Sequence, residues 1–78
     1  MRIRYSRHAA KGIDGLEHAM MQRIKAAIEK LPAGDVKKLK GFSIAYRLRV
    51  GDYRILFDME RDEIRITNIL HRREAYQK

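Results

Sequence analysis

The run Ile44-Ala45-Tyr46-Arg47-Leu48-Arg49-Val50-Gly51-Asp52-Tyr53-Arg54-Ile55-Leu56-Phe57-Asp58-Met59 decides the fold. Ile44, Tyr46, Leu48 and Val50 alternate with Ala45, Arg47 and Arg49, the period of two that marks a strand with one buried face. Gly51-Asp52 then separates this run from a second alternating one, in which Tyr53, Ile55, Phe57 and Met59 are apolar. That is the pattern of a hairpin with a two-residue turn, where glycine supplies the positive φ. Such a turn fixes the register. Val50 faces Tyr53, Arg49 faces Arg54, Leu48 faces Ile55 and Arg47 faces Leu56.

Downstream, a second turn at Arg61-Asp62 leads into a third strand, Glu63 to Leu70. Continued without interruption, this register sets Asp58 opposite Arg65 and Arg54 opposite Ile69, with His71 diagonal to Arg54 on one face. Tyr46, Leu48, Ile55, Phe57, Ile64 and Ile66 then form the core side. Asn68 falls on that side too, which a bulge, a hydrogen-bonded buried amide or a frayed strand end would each explain.

Upstream, Leu16, Ala19, Met20, Ile24, Ala27, Ile28 and Leu31 form the single stripe of an amphipathic helix that Pro32 and Gly34 stop. Residues 7 to 14 form a shorter helical segment, set off from it near Gly12 or Gly15. Ile3 and Tyr5 alternate with Arg2 and Arg4 in a short N-terminal strand, and Asp35 to Gly41 reads as a basic connector. The fold class is therefore α+β: an N-terminal strand, a helical hairpin, then a three-stranded antiparallel meander, in the order β-α-α-β-β-β. The helices cover one face of the sheet and leave the other open.

The chain has 78 residues, and its 18 Lys and Arg exceed its 10 Asp and Glu to give a net charge of +8. So short a chain makes a single domain, residues 1–78, and excludes doubly wound sheets, barrels and large cofactor clefts. It has no cysteine, so disulfide frameworks and thiolate zinc sites are excluded and an intracellular, reducing compartment is expected. No segment approaches the roughly 20 apolar residues of a membrane span. The charge excess favours a polyanionic partner.

Arg49 facing Arg54 is informative because like charges directly opposite on a sheet are destabilising. A small domain gains nothing structural from the pair, so an anion-binding role is favoured over a merely solvated face. Arginine grips phosphate with a planar fork of donors and keeps its charge at any working pH. Arg47 and His71 are expected alongside. His8 and His18 have no partner at metal-ligand spacing, and no cofactor is implied.

Three segments together resemble the RelE branch of the RelE/ParE toxin superfamily: Lys38-Leu39-Lys40-Gly41, the hairpin from Tyr46 to Phe57, and His71-Arg72-Arg73-Glu74-Ala75-Tyr76. The resemblance implies the toxin of a type II toxin–antitoxin pair, a cytoplasmic mRNA interferase that cleaves messenger RNA in the ribosomal A site. It also implies neutralisation by a cognate antitoxin, of the RelB-like or another class. Position by position, Arg47 and Arg49 fall where members carry basic residues. Arg54 matches the hairpin arginine, Arg72 the arginine after the last strand and Tyr76 the C-terminal tyrosine, while His71 sits where some members use a catalytic histidine.

The expected chemistry is metal-independent attack of a ribose 2′-OH on the adjacent phosphorus, which needs a base, an acid and charge stabilisation. Arg49, Arg54 and Arg72 are expected to contact the phosphate, and either His71 or Tyr76 to act as base, because only these exchange protons at accessible pH. Lys38, Lys40, Arg47 and Arg73 are expected to hold RNA through its backbone. Two alternatives stand beside this one: a ParE-like inhibitor of DNA gyrase without nuclease activity, and a noncatalytic basic module that only binds RNA or an acidic protein.

Overall fold

The computed structural model describes residues 2–39 and 45–71. The elements in chain order are β1 (Arg2–Tyr5), α1 (Arg7–Asp14), α2 (His18–Glu29), β2 (Val36–Lys38), β3 (Ala45–Val50), β4 (Tyr53–Glu60) and β5 (Glu63–His71). The expected α+β order and the helical hairpin are present, but the sheet is larger than a meander. It has five strands in the order β1-β5-β4-β3-β2, with β1 parallel to β5 and every other pair antiparallel.

Ser6 starts α1. Its hydroxyl accepts the Ala9 N–H at 3.0 Å, an N-cap worth about 1 kcal/mol. Ala9 and Ile13, one turn apart, are the residues α1 buries. Gly12 lets the helix approach the sheet closely, since a Cβ there would lie 3.3 Å from the Cβ of Ile69 on β5. α2 is shorter than the apolar stripe from Leu16 to Leu31, yet both end residues serve the core from the flanking turns. Ile24 and Ile28 are its fully buried residues, with Met20, Met21 and Ala27 packed around them.

The helices meet a sheet face formed by Leu48, Val50, Ile55, Phe57, Ile64 and Ile66, all buried. Tyr46 stacks on Phe57 with ring centroids 5.5 Å apart. The β3–β4 register agrees with the sequence reading pair for pair, including Arg49 opposite Arg54, and Gly51 holds the turn with φ 58°. The second turn, at Arg61-Asp62, also lies where expected, and Asp58 faces Arg65.

Two expectations are corrected. First, the supposed connector contains a strand: β2 pairs with β3 through Val36–Leu48, Lys37–Arg47 and Lys38–Tyr46. Three residues are too few for periodicity to declare themselves, and pairing with β3 is what makes them extended. Second, the β4–β5 register shifts. Leu56 pairs with Asn68 but Phe57 pairs with Ile66, so Thr67 is an extra residue, a β-bulge.

Because side chains alternate, one inserted residue exchanges the faces of everything beyond it. Asn68 therefore lies on the open face beside Leu56 rather than in the core. Arg54 faces Leu70 rather than Ile69, and His71 faces Tyr53 on the helix side rather than flanking Arg54. Hydroxyl groups hold the bulge. Thr67 Oγ1 donates to Leu56 O at 3.1 Å, Ser6 Oγ donates to Thr67 O at 3.0 Å, and the Ser6 N–H donates to Ile66 O at 2.9 Å. The residue that caps α1 thus also clasps the bulge.

Candidate functional site

The open face of the sheet is polarised along its strands. At the β3–β4 hairpin end, Lys37, Arg47, Arg49 and Arg54 share that face across β2, β3 and β4. At the opposite end lie Asp58, Glu60, Glu63 and Arg65 around a shallow hollow of about 40 Å³, and Arg4 donates to Glu63 at 3.4 Å. At that end the three carboxylates are matched by Arg2, Arg4 and Arg65, so the net positive charge of the face lies at the hairpin half, and a polyanion is drawn there.

The backbone brings Arg49 and Arg54 close together. The Arg49 N–H donates away from β4, to Asp35 O at 3.0 Å. The 49/54 position is thus a non-hydrogen-bonded pair, the type in which Cα atoms stand only about 4.5 Å apart and side chains are nearest. Arg49 is exposed and Arg54 half-buried. Two arginines directly opposed on neighbouring strands put two planar forks of donors within reach of one phosphodiester.

Arg47 is used differently. Its guanidinium Nη1 donates to Asp35 O at 3.0 Å and to Asp35 Oδ1 at 3.3 Å, and its side chain is only 14% exposed. It ties the loop before β2 to β3, and so acts as a strut beside the arginine pair. Lys37, opposite Arg47 on the same face and exposed, is the cation at that edge, whereas Lys38 faces Tyr46 on the helix side. Plain alternation from Val36, which pairs with the buried Leu48, carries this distinction, but it is visible only once β2 is known to be a strand.

His71 stands on the other side of the sheet from Arg54. Its ring meets that of Tyr53 edge to face, with centroids 5.0 Å apart. Together with His8, Lys11, Gly12, Leu16 and Ile69 these two rings line a cleft of about 420 Å³ between α1 and the end of the sheet. A second hollow, of about 410 Å³, runs between α2 and β3 with Arg23 and Lys30 on its rim. Tyr5, at the opposite side of the molecule's sheet edge, has its phenol pKa raised above the ordinary 10.0, chiefly by burial and secondarily by the Glu29 carboxylate.

Lys40, Arg72, Arg73 and Tyr76 lie outside the described residues. β5 ends at His71, opposite Tyr53 and one position from the Leu70–Arg54 pair. The sequence thus places Arg49 and Arg54 as an adjacent pair, sets His71 on the wrong face, and gives Tyr53, His8 and Lys11 no part in a site. The signal for the bulge was present: the apolar positions of β5 run Ile64, Ile66, then Ile69, and change parity at Thr67-Asn68.

Comparison with known proteins gives consistent results. A family model described as the ParE toxin of the type II toxin–antitoxin system parDE matches residues 3–76. The chain is 31% identical over 84 residues to Toxin RelE3 of Methanocaldococcus jannaschii, covering 97% of this chain and 96% of that protein. Among solved structures it is similar to the RelB–RelE antitoxin–toxin complex from Methanococcus jannaschii. There the TM-score is 0.81 and the identity 30%, over 94% of each chain. It is also similar to the RelE–RelB complex from Pyrococcus horikoshii, with a TM-score of 0.74 and 27% identity over 91% of this chain and 93% of that one.

Proposed function

Since the chain belongs to the RelE/ParE superfamily of type II toxin–antitoxin toxins, we propose that it is a RelE-type endoribonuclease that cleaves messenger RNA in the ribosomal A site and is silenced by a cognate antitoxin. The observation that carries this reading is the directly opposed pair Arg49–Arg54 on the open, cationic half of the sheet. The antitoxin partner is supported by the solved complexes of RelE with RelB to which the chain is similar.

In the proposed reaction the 2′-oxygen bonds to the adjacent phosphorus while the P–O5′ bond breaks. The 2′-OH proton passes to the base and an acid protonates the departing 5′-oxygen, leaving a 2′,3′-cyclic phosphate and a 5′-OH. Arg49 and Arg54, with Arg72, stabilise the charge that develops on the non-bridging oxygens, and Arg54 or a neighbour assists the leaving oxygen. No metal is needed, because the nucleophile is the substrate's own hydroxyl. The base is His71 or Tyr76. Of the two, Tyr76 is preferred, because a general base must come within hydrogen-bond reach of the proton it takes and His71 stands on the face opposite Arg54. Lys37, which shares the open face with the arginine pair, holds a flanking phosphate through charge, as do Lys40 and Arg73, while Lys38 on the helix side reaches only RNA that passes round the edge strand.

A second reading is favoured by the ParE description of the matching family model, namely inhibition of DNA gyrase through the same basic surface. The two separate in a bacterial translation extract to which the full chain, its Arg54→Ala variant and its Tyr76→Phe variant are added, with 5′ ends mapped on a reporter message with and without ribosomes. Ribosome-dependent 5′-OH ends within codons, reduced about 10²- to 10³-fold in Arg54→Ala, are expected. Intact messages together with gyrase-dependent DNA cleavage would transfer the assignment to the second reading.

A further inference from the structure

The bulge at Thr67 has an effect that extends beyond the arginine pair. By exchanging the faces of β5, it brings His71 against Tyr53 and so completes the cleft between α1 and the end of β4 and β5. The cleft has a volume of about 420 Å³, inside the range of about 300–1,000 Å³ typical of small-ligand sites. Its composition is specific. Two aromatic rings set edge to face form one wall, Leu16, Ile69 and the bare backbone of Gly12 form the apolar remainder, and Lys11 and His8, both exposed, stand at the rim.

Flat apolar walls with an aromatic surface and cations at the rim are what an unstacked nucleobase and its phosphate require. Single-stranded RNA is recognised by stacking splayed bases on aromatic side chains while basic groups follow its backbone. The position of the cleft strengthens this. Tyr53 and Arg54 are consecutive on β4 and point to opposite faces, as do Leu70 and His71 on β5. A phosphodiester gripped by Arg54 on the open face is therefore one residue away from the cleft, round the end of the sheet.

We infer that the cleft between α1 and the β4–β5 end is a nucleobase subsite for single-stranded RNA, in which one base packs on Tyr53 and His71 while Lys11 contacts its phosphate. The strand then bends over the end of the sheet, with the arginine pair on one side of the bend and the base on the other. This inference rests on the nuclease reading for its ligand, and extends it by naming a second surface and the group that occupies it.

The test is titration of the full chain with a 2′-O-methyl trinucleotide, which cannot be cleaved, followed by NMR of the His71, Tyr53 and Leu16 side chains and of the Arg54 Nε–H. A matching set of trinucleotides carries an abasic unit at each position in turn. Shifts of His71, Tyr53 and Leu16 that vanish for one abasic position, while the Arg54 shift persists, are the expected result. Tyr53→Leu should weaken binding of the intact trinucleotide by about 5- to 150-fold, the range for loss of one base–aromatic stack, and should bind the abasic and intact forms alike. Lys11→Ala, an exposed position that leaves folding intact, should reduce the salt slope of binding by about 0.7.

Cleft resonances that stay unmoved while Arg54 shifts would overturn the subsite and leave the nuclease reading standing. Cleft and Arg54 resonances that both stay unmoved would overturn both. Cleft shifts that persist with every abasic trinucleotide would mean that the cleft takes a phosphate and no base, which also overturns the inference.

Discussion

Replacing Arg49 by threonine is expected to make this protein more stable and less able to bind RNA. Arg49 and Arg54 face each other at a non-hydrogen-bonded pair, and Arg49 is exposed. Charges about 7 Å apart in water repel by about 0.6 kcal/mol, inside the range of about 0.2–1 kcal/mol that cross-strand pairs contribute. Threonine is at home in a strand, and the Arg49 N–H bond to Asp35 O is retained because it is made by the backbone. For a domain of this size the gain corresponds to a rise in Tm of about 2–5 °C. Thermal unfolding by circular dichroism, run at 50 mM and at 1 M NaCl, reads it. At 1 M salt the Debye length is about 3 Å, so the difference should close, and Arg49→Lys, which keeps the charge, should show little gain at either concentration. Affinity for a short single-stranded RNA should fall, with the salt slope smaller by about 0.7. A lower Tm for Arg49→Thr at low salt, or a gain that persists unchanged at 1 M, would refute the view that the pair is a structural cost retained for anion binding.

Three further outcomes follow from the packing. Ser6→Ala removes the α1 cap and the clasp on Thr67 together and should cost about 1–3 kcal/mol in urea unfolding. Thr67→Val removes only the bond to Leu56 O and should cost about 1 kcal/mol; equal losses for the two would contradict the double role of Ser6. Gly12→Ala improves helix propensity by about 1 kcal/mol, but the new Cβ would meet the Cβ of Ile69 at 3.3 Å, and that atom is fixed to the backbone of β5. Net destabilisation is therefore expected, and a rise in Tm would show that α1 can move off the sheet. Tyr5 carries a phenol whose pKa is raised by burial and by Glu29. Folding therefore favours its protonated form, and that contribution is complete below pH 10 and is lost as pH rises through the folded pKa. In alkaline unfolding Tyr5→Phe should lose less stability above pH 10 than the parent chain does, and parallel curves would contradict the assignment.

The arginine pair was legible in the sequence because a two-residue turn couples two alternating runs with no free parameter. Once Gly51-Asp52 is the turn, Arg49 must face Arg54. The same reasoning failed for His71, because the second hairpin carries its irregularity in mid-strand, at Thr67, away from the Glu60–Glu63 pair that flanks the turn. Asn68 on the apparent core side and the parity change from Ile66 to Ile69 marked the bulge, but a buried amide or a frayed end would have left the same trace. Lys37 and Lys38 were indistinguishable as cations of a connector until β2 gave them opposite faces.

By itself the sequence determined what is local: two hairpins, two amphipathic helices, a core face of aliphatic side chains and an opposed pair of arginines. Alternation and turn chemistry act over a few residues, and the chain records them directly. Only the tertiary structure decided which way β5 faces beyond Thr67, and with it that His71 lines a cleft with Tyr53 instead of joining Arg54. The groups that hold that bulge, the Ser6 hydroxyl and the Thr67 carbonyl, are 61 positions apart. A hydrogen bond between residues so distant along the chain leaves no period in the sequence, and forms only when β1 is laid parallel to β5.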